Sequence, residues 1–224
     1  MTVTTFRRAR SEEQRAERRR AILDTAAAML AEMPVAQLSL NELSRRVELA
    51  KSNVLNYFES REAVLLELLD AESREWMAQL DAELTRTVDP EAPMDERAAK
   101  LADAIVETVA SRPMLCALTS AQAAVLEHNI SVEIALRFKR SSIQNLGELV
   151  RQVTGRIPEL GGDGATRFIA AMIMLTGAIW THTHPAAAIT AAYEADPAVA
   201  VYRTEFAPAL RAALETLLHG ALPR

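Results

Sequence analysis

Apolar residues recur at three- and four-residue steps along most of the chain, and the elements they predict are helices. The first stripe reads Ile22, Ala26, Met29, Leu30, Met33, behind a capping-box pattern at Ser11-Glu12-Glu13-Gln14, and Pro34 stops it. A second capping box, Ser39-Leu40-Asn41-Glu42, opens a short helix with Leu40, Leu43 and Val47 on one side. After a break at Glu48–Ala50 comes a third short helix, from Lys51 to about Phe58. Ser60 caps a fourth, with Glu62 in its first turn where the helix dipole favours an acid. That helix is long: Leu65, Leu68, Leu69, Glu72, Trp76, Leu80 and Leu84 keep one face to about Thr87, with no Pro or Gly among them.

Beyond the turn at Val88–Pro93, helices are predicted from about Met94 to Ser111, Met114 to His128 and Ser131 to Val153. The last of these carries Phe138, Ser142, Asn145, Leu146, Leu149 and Val153 on one side. Gly161-Gly162-Asp163-Gly164 predicts a loop, and residues 185–202 a loop with a helical turn. Phe168 to about His182 is apolar on two faces, the pattern of a helix that is buried or lies in an interface. A final helix runs from about Glu205 to His219. The fold class is all-α, and the scarcity of glycine, 7 in 224 residues, agrees.

Charge changes the picture, because it is unevenly placed. The chain is −5 overall, yet residues 1–61 hold 11 Lys/Arg against 8 Asp/Glu, and the remainder 14 against 22. A basic head on an acidic body suits a protein that touches DNA at one end. Cys116 is the single cysteine, so no intramolecular disulfide or cysteine-based zinc site can form, and a reducing cytoplasm is expected. Arg7, Arg8 and Arg10 lead into charged residues rather than an apolar run, unlike a signal peptide. The apolar stretch Phe168–Trp180 is shorter than the roughly 20 residues that span a bilayer, so no membrane role is expected.

Two short helices about a three-residue break, between a leading helix and a long following one, have the spacing of a helix-turn-helix. Val54 and Phe58 can anchor the second short helix, leaving Lys51, Ser52, Asn53, Asn56 and Tyr57 outward. Spacing alone also fits a solvated short helix between core helices.

The run from Leu38 to Leu65, LSLNELSRRVELAKSNVLNYFESREAVL, resembles the N-terminal domain of TetR-family regulators. It has Ser opening helix 2, an apolar turn residue, the Tyr57-Phe58 pair, and Arg61-Glu62-x-x-Leu65 opening helix 4. The resemblance covers roughly residues 15–70. It implies a helix-turn-helix head at 15–60 behind an N-terminal arm at 1–14, and a helical ligand-binding and dimerisation body at 61–224. Further implications are binding of a double-stranded DNA operator, a small-molecule effector and a homodimer formed by the last two long helices. By resemblance, Ser39, Tyr57 and Arg61 match phosphate-gripping positions, and Lys51, Ser52, Asn53, Leu55 and Asn56 match positions facing the major groove. Asn53 and Asn56 are the adenine readers by chemistry. Arg15, Arg18 and Arg19 are candidates for the DNA backbone or minor groove, and equally fit a solvated, frayed terminus. The effector pocket implied between the body helices has Trp76, Met114, Cys116, Phe138, Met172 and Trp180 as candidate lining, residues that equally fill ordinary cores.

The sequence departs from the family pattern in four places. Glu48 stands where glycine is usual, which predicts a turn that is strained or differently built. Ala50 replaces the usual Ser cap of the recognition helix, Leu55 replaces a frequent Tyr, and Glu59 puts negative charge near the expected path of the phosphates. An enzyme and a purely helical interaction module are the alternatives, but no nucleophile motif, phosphate loop, metalloprotease motif or Rossmann fingerprint is present, and no cofactor is expected. His182 and His184, two residues apart, point to different sides of a helix and make no metal pair.

Overall fold

The structure, a computed structural model, describes residues 3–222, with side chains from residue 12 onward. Every regular element among the described residues is a helix. The head comprises α1 (Val3–Glu32), α2 (Leu40–Arg46) and α3 (Lys51–Leu55), with one 3₁₀ turn at Val35–Gln37. Helix α1 runs through Ser11 without a break, so the capping box there starts nothing. No Gly or Pro interrupts Val3–Glu32, and its Arg and Ala residues favour helix. The expected arm at 1–14 is therefore largely helical, and its side chains up to residue 11 lie outside the described residues.

Serine hydroxyls set the later helix starts. Ser39 Oγ accepts from Glu42 N–H at 3.2 Å, and Ser60 Oγ from Ala63 N–H at 3.1 Å. Only half of the second capping box forms, because the Glu42 carboxylate turns to Arg45 and Arg46 instead of reaching back to residue 39. Helix α3 begins at Lys51, and Ala50 before it offers no side-chain cap. Glu48 makes the turn between α2 and α3 at φ +54°, the left-handed region that costs a residue with a Cβ about 1–2 kcal/mol.

The body follows as α4 (Arg61–Thr87), α5 (Met94–Ala110), α6 (Pro113–Ala121), α7 (Val132–Arg156), α8 (Gly161–Thr183), α9 (Ala187–Ala195), α10 (Pro197–Ala200) and α11 (Phe206–Ala221). Helix α6 widens into a π-helical turn at Gln122–Leu126 rather than continuing regularly to His128. Helix α8 begins at Gly161, where a loop was expected. Gly161 itself, at φ +61°, follows the 3₁₀ turn Pro158–Leu160 and lets the chain re-enter a helix at once. The segment Pro158–Thr183 thereby reaches 26 residues with mean hydropathy 1.3, long and apolar enough by length and composition to cross a membrane. In the fold it packs against α6, α7 and α11.

One apolar core runs from head to body. Ile22, Met29, Leu43, Val54, Phe58 and Leu65 close the head around α4, and Leu80, Leu84, Leu101, Ile105, Phe168 and Leu214 continue it below. The α4 helix belongs to both parts: 27 residues, about 40 Å at 1.5 Å per residue, pack on α1 at one end and on α5, α6 and α7 at the other. Arg97 ties the lower end, donating to Ala92 O at 2.9 Å, Arg156 O at 2.6 Å and the Glu159 carboxylate.

Candidate nucleic-acid interface and ligand cavity

Helix α3 is held from beneath and open above. Val54 is fully buried and Phe58 nearly so, while Lys51, Ser52, Asn53, Leu55 and Asn56 are exposed. The spacing that put the two apolar anchors four apart leaves one continuous outward face. Its donors, acceptors and single apolar side chain are the chemical types that read base edges in a major groove. An open groove runs between α3 and α1, lined by Arg15, Arg18, Asn53, Asn56 and Tyr57 among others.

The predicted phosphate residues are less uniform. Ser39 is exposed at the N-cap of α2. Tyr57 is half-buried, with the Arg15 guanidinium 5.8 Å from its ring centre. Arg61 turns inward: its Nη2 donates to Val35 O at 2.6 Å, and its Nη1 lies 3.7 Å from Glu62. Arg15 and Arg19 are also committed to the head. Arg15 Nη2 donates to Asn56 O at 3.2 Å, and Arg19 donates to Tyr57 O at 2.5 Å and to both oxygens of Glu67. Arg18 remains exposed. Glu59, exposed at the end of the recognition segment, turns its carboxylate to the body. Its Oε1 accepts the Ser131 N–H at 2.6 Å, at the start of α7, where the helix dipole favours a carboxylate.

In the body a cavity of about 180 Å³ lies between α4, α6, α7 and α8. Trp76, Phe138 and Met172 line it; Met114, Cys116 and Trp180 do not. Met114 packs half-buried at the edge of the core, and Cys116 is fully buried beside Val109 O. Burial pushes the Cys116 thiol up to about 12. Trp180 stacks on His184 with ring centres 3.8 Å apart and meets Phe206 edge-on at 5.2 Å, outside the cavity. Trp76 offers its ring to the cavity because its Nε1–H is satisfied elsewhere, by Thr108 Oγ1 at 3.0 Å. Nearby, Arg112 pairs with Glu72 at 3.3 Å, and burial pushes the Glu72 carboxyl above its usual range.

The family model described as "Bacterial regulatory proteins, tetR family" matches residues 22–68, and "Tetracyclin repressor-like, C-terminal domain" matches residues 70–224. The chain belongs to the TetR family. Solved structures repeat the fold. The fatty acid degradation regulator FadR from Bacillus halodurans is 16% identical, with TM-score 0.54 over 91% of this chain and 98% of its own. A TetR transcriptional regulator from Rhodococcus sp. RHA1 is 13% identical, with TM-score 0.50 over 91% of this chain and 96% of its own. A protein of unknown function from the same organism is 19% identical, with TM-score 0.53 over 92% and 96%. At these identities the likeness is one of fold. No curated protein matches the sequence. As a TetR-family chain this is a transcription regulator with a helix-turn-helix DNA-binding head and a helical body.

Within that TetR architecture, three features escaped the sequence. Asp70 lies on the cavity wall, where its Oδ1 accepts from Ser141 Oγ at 2.5 Å and Asn145 Nδ2 at 3.3 Å, and its Oδ2 pairs with Arg74. Gln122 reaches the same wall from the π-helical turn. The polar residues Ser142 and Asn145 within the apolar stripe of α7 were the available signal. The Glu59–Ser131 contact had none, because its partners are 72 residues apart.

Proposed function

We propose that this TetR-family regulator is a ligand-released repressor that works in the cytoplasm as a homodimer on a palindromic operator. The observation that carries the reading is α4: one helix without Pro or Gly holds Arg61 at the head and presents Leu69, Asp70, Ser73, Trp76 and Met77 to the body cavity. A molecule that fits the cavity better in one α4 position shifts the separation of the two heads. Half-sites one DNA turn apart lie about 34–36 Å from each other, and heads at another spacing cannot both enter the groove. The effector must bind the DNA-incompetent state more tightly, and DNA must weaken the effector by the same factor.

On the DNA side, Asn53 and Asn56 read bases, Lys51, Ser52 and Leu55 complete the groove-facing surface, and Ser39 and Tyr57 hold phosphates. Arg61 reaches a phosphate only by sharing its guanidinium with Val35 O. Two copies meet through the outward faces of α8 and α11, where Ala170, Met174 and Ala178, and Ala212, Thr216 and Gly220, are exposed.

Selection from random DNA followed by a salt-dependent shift assay tests the reading. Asn53→Ala or Asn56→Ala should cost about 1–3 kcal/mol and relax specificity at single base pairs, while Lys51→Ala should lower the salt slope by about one unit. Selection that yields no enriched palindrome overturns it.

A further inference from the structure

We propose that the effector is a compact apolar amine, of about single-ring size, that binds protonated with its ammonium against Asp70; this rests on the effector reading above.

Size and lining set the class. An engineered apolar cavity of about 150 Å³ takes benzene, and this one offers about 180 Å³. Its body is apolar, with Trp76, Phe138, Leu149 and Met172 able to close around a ring. Charge sets the rest. Among the residues lining the cavity there is no Lys, Arg or His, and Asp70 is the one carboxylate. A ligand carboxylate or phosphate placed there would lose its water, find no counter-charge and face Asp70, a combination that costs several kcal/mol. An ammonium meets the opposite situation. Ser141, Asn145 and Arg74 hold Asp70 in place, and Arg74 does so from outside with its side chain 56% exposed, so its screened charge only partly cancels the carboxylate. Thr119, Thr176 and Asn145 are further polar residues of the lining, and Asn145 adjoins Asp70 directly.

The Arg19-, Arg74- and Arg137-bearing cavity on the far side of Phe138 does not reverse this preference. Asp70 stands on the wall of both cavities; Arg19 is already bonded to Glu67 and Arg74 to Asp70, and Arg137 is exposed and lines only the second.

The test uses three probes of one shape: 4-ethylbenzylamine, 4-ethylbenzyl alcohol and 4-ethylbenzoate. Binding is read by Trp76 fluorescence in a Trp180→Phe background and by thermal shift. The amine is expected to bind at least about tenfold tighter than the benzoate. Asp70→Asn should erase the preference for amine over alcohol while leaving alcohol affinity within about twofold, and Arg74→Gln, which changes no residue of the cavity lining, should strengthen the amine severalfold. Equal binding of benzoate and amine, an unchanged amine-to-alcohol ratio in both variants, or no response to any probe at millimolar concentration overturns the proposal. Probe-free DNA binding is measured alongside. Its loss would sink the regulator reading and leave the cavity result standing, whereas intact DNA binding with the wrong probe order sinks only the amine.

Discussion

Arg19 and Glu67 lock head to body: the Arg19 guanidinium, between them, bonds both Glu67 oxygens, lies 4.1 Å from the centre of the Phe58 ring and donates to Tyr57 O. One side chain of α1 thereby fixes the end of the recognition segment to α4, just under one helical turn before Asp70 on the cavity wall. Both side chains are about 30% exposed, so the pair lies between a surface bridge and a buried one. Arg19→Ala and Glu67→Ala should each lower stability by about 1–2 kcal/mol, and the double-mutant cycle should show coupling of about 1 kcal/mol. Arg19→Lys keeps the charge but not the fork, and should weaken DNA binding more than stability. Denaturant titration and a shift assay on the same variants check this; zero coupling with unchanged DNA affinity removes the locking role.

Glu48 offers a test of strain. At φ +54° its Cβ is crowded, while its side chain is exposed with nothing to lose. Glu48→Gly should stabilise the protein by about 1 kcal/mol, or roughly 2–4 °C in melting temperature for a chain of this size. Glu48→Ala keeps the Cβ and should give no such gain. A destabilised glycine variant would mean that the turn is not where strain is stored.

Acid should loosen the head through Glu42. Hydrogen bonds from Arg45 and then Arg46 hold its carboxyl at about 2, below the usual 4.5. A carboxyl depressed in the folded state contributes stability above its unfolded value, and that contribution fades as pH falls from about 4.5 towards 2. Glu42→Gln should therefore lower stability at pH 7 and flatten its dependence across that window. Thermal melts between pH 2.5 and 7 read the difference, and parallel curves for the two proteins would contradict it.

What the sequence made legible was local. Ser39 and Ser60 announced α2 and α4 because a cap is written within three residues of the helix it starts. Glu48 announced its own strain because the TetR-family pattern has glycine at that turn. Trp76, Phe138 and Met172 reached the cavity from apolar stripes, but Cys116 and Trp180 share that chemistry and went elsewhere: periodicity gives a face, not the neighbour it meets. The illegible parts depend on distant partners. Arg19, one candidate for DNA, bonds a carboxylate 48 residues away, Glu59 accepts the Ser131 N–H at the start of α7, and Gly161 re-enters a helix where composition predicts a loop.

The proposed dimer separates surface from core on the same two helices. Leu214 of α11 has no exposure and belongs to the protomer core, whereas Met174 of α8 is 69% exposed. A charge at Leu214 is buried without a partner and should unfold the chain outright. A charge at Met174 meets water in a lone protomer but lies within the face where α8 and α11 would meet their copies. Ala170 and Ala178, one turn either side on α8, and Ala212, exposed on α11, are small enough for close approach of helix backbones. Met174→Glu should thus yield a folded monomer, with native helical circular dichroism, half the mass by sedimentation, and DNA binding weakened as one head loses the help of the other. Leu214→Asp should lose the circular dichroism signal as well. A wild-type chain that sediments as a monomer at micromolar concentration, or a Met174→Glu variant that stays dimeric, would place the interface elsewhere and take the palindromic operator with it.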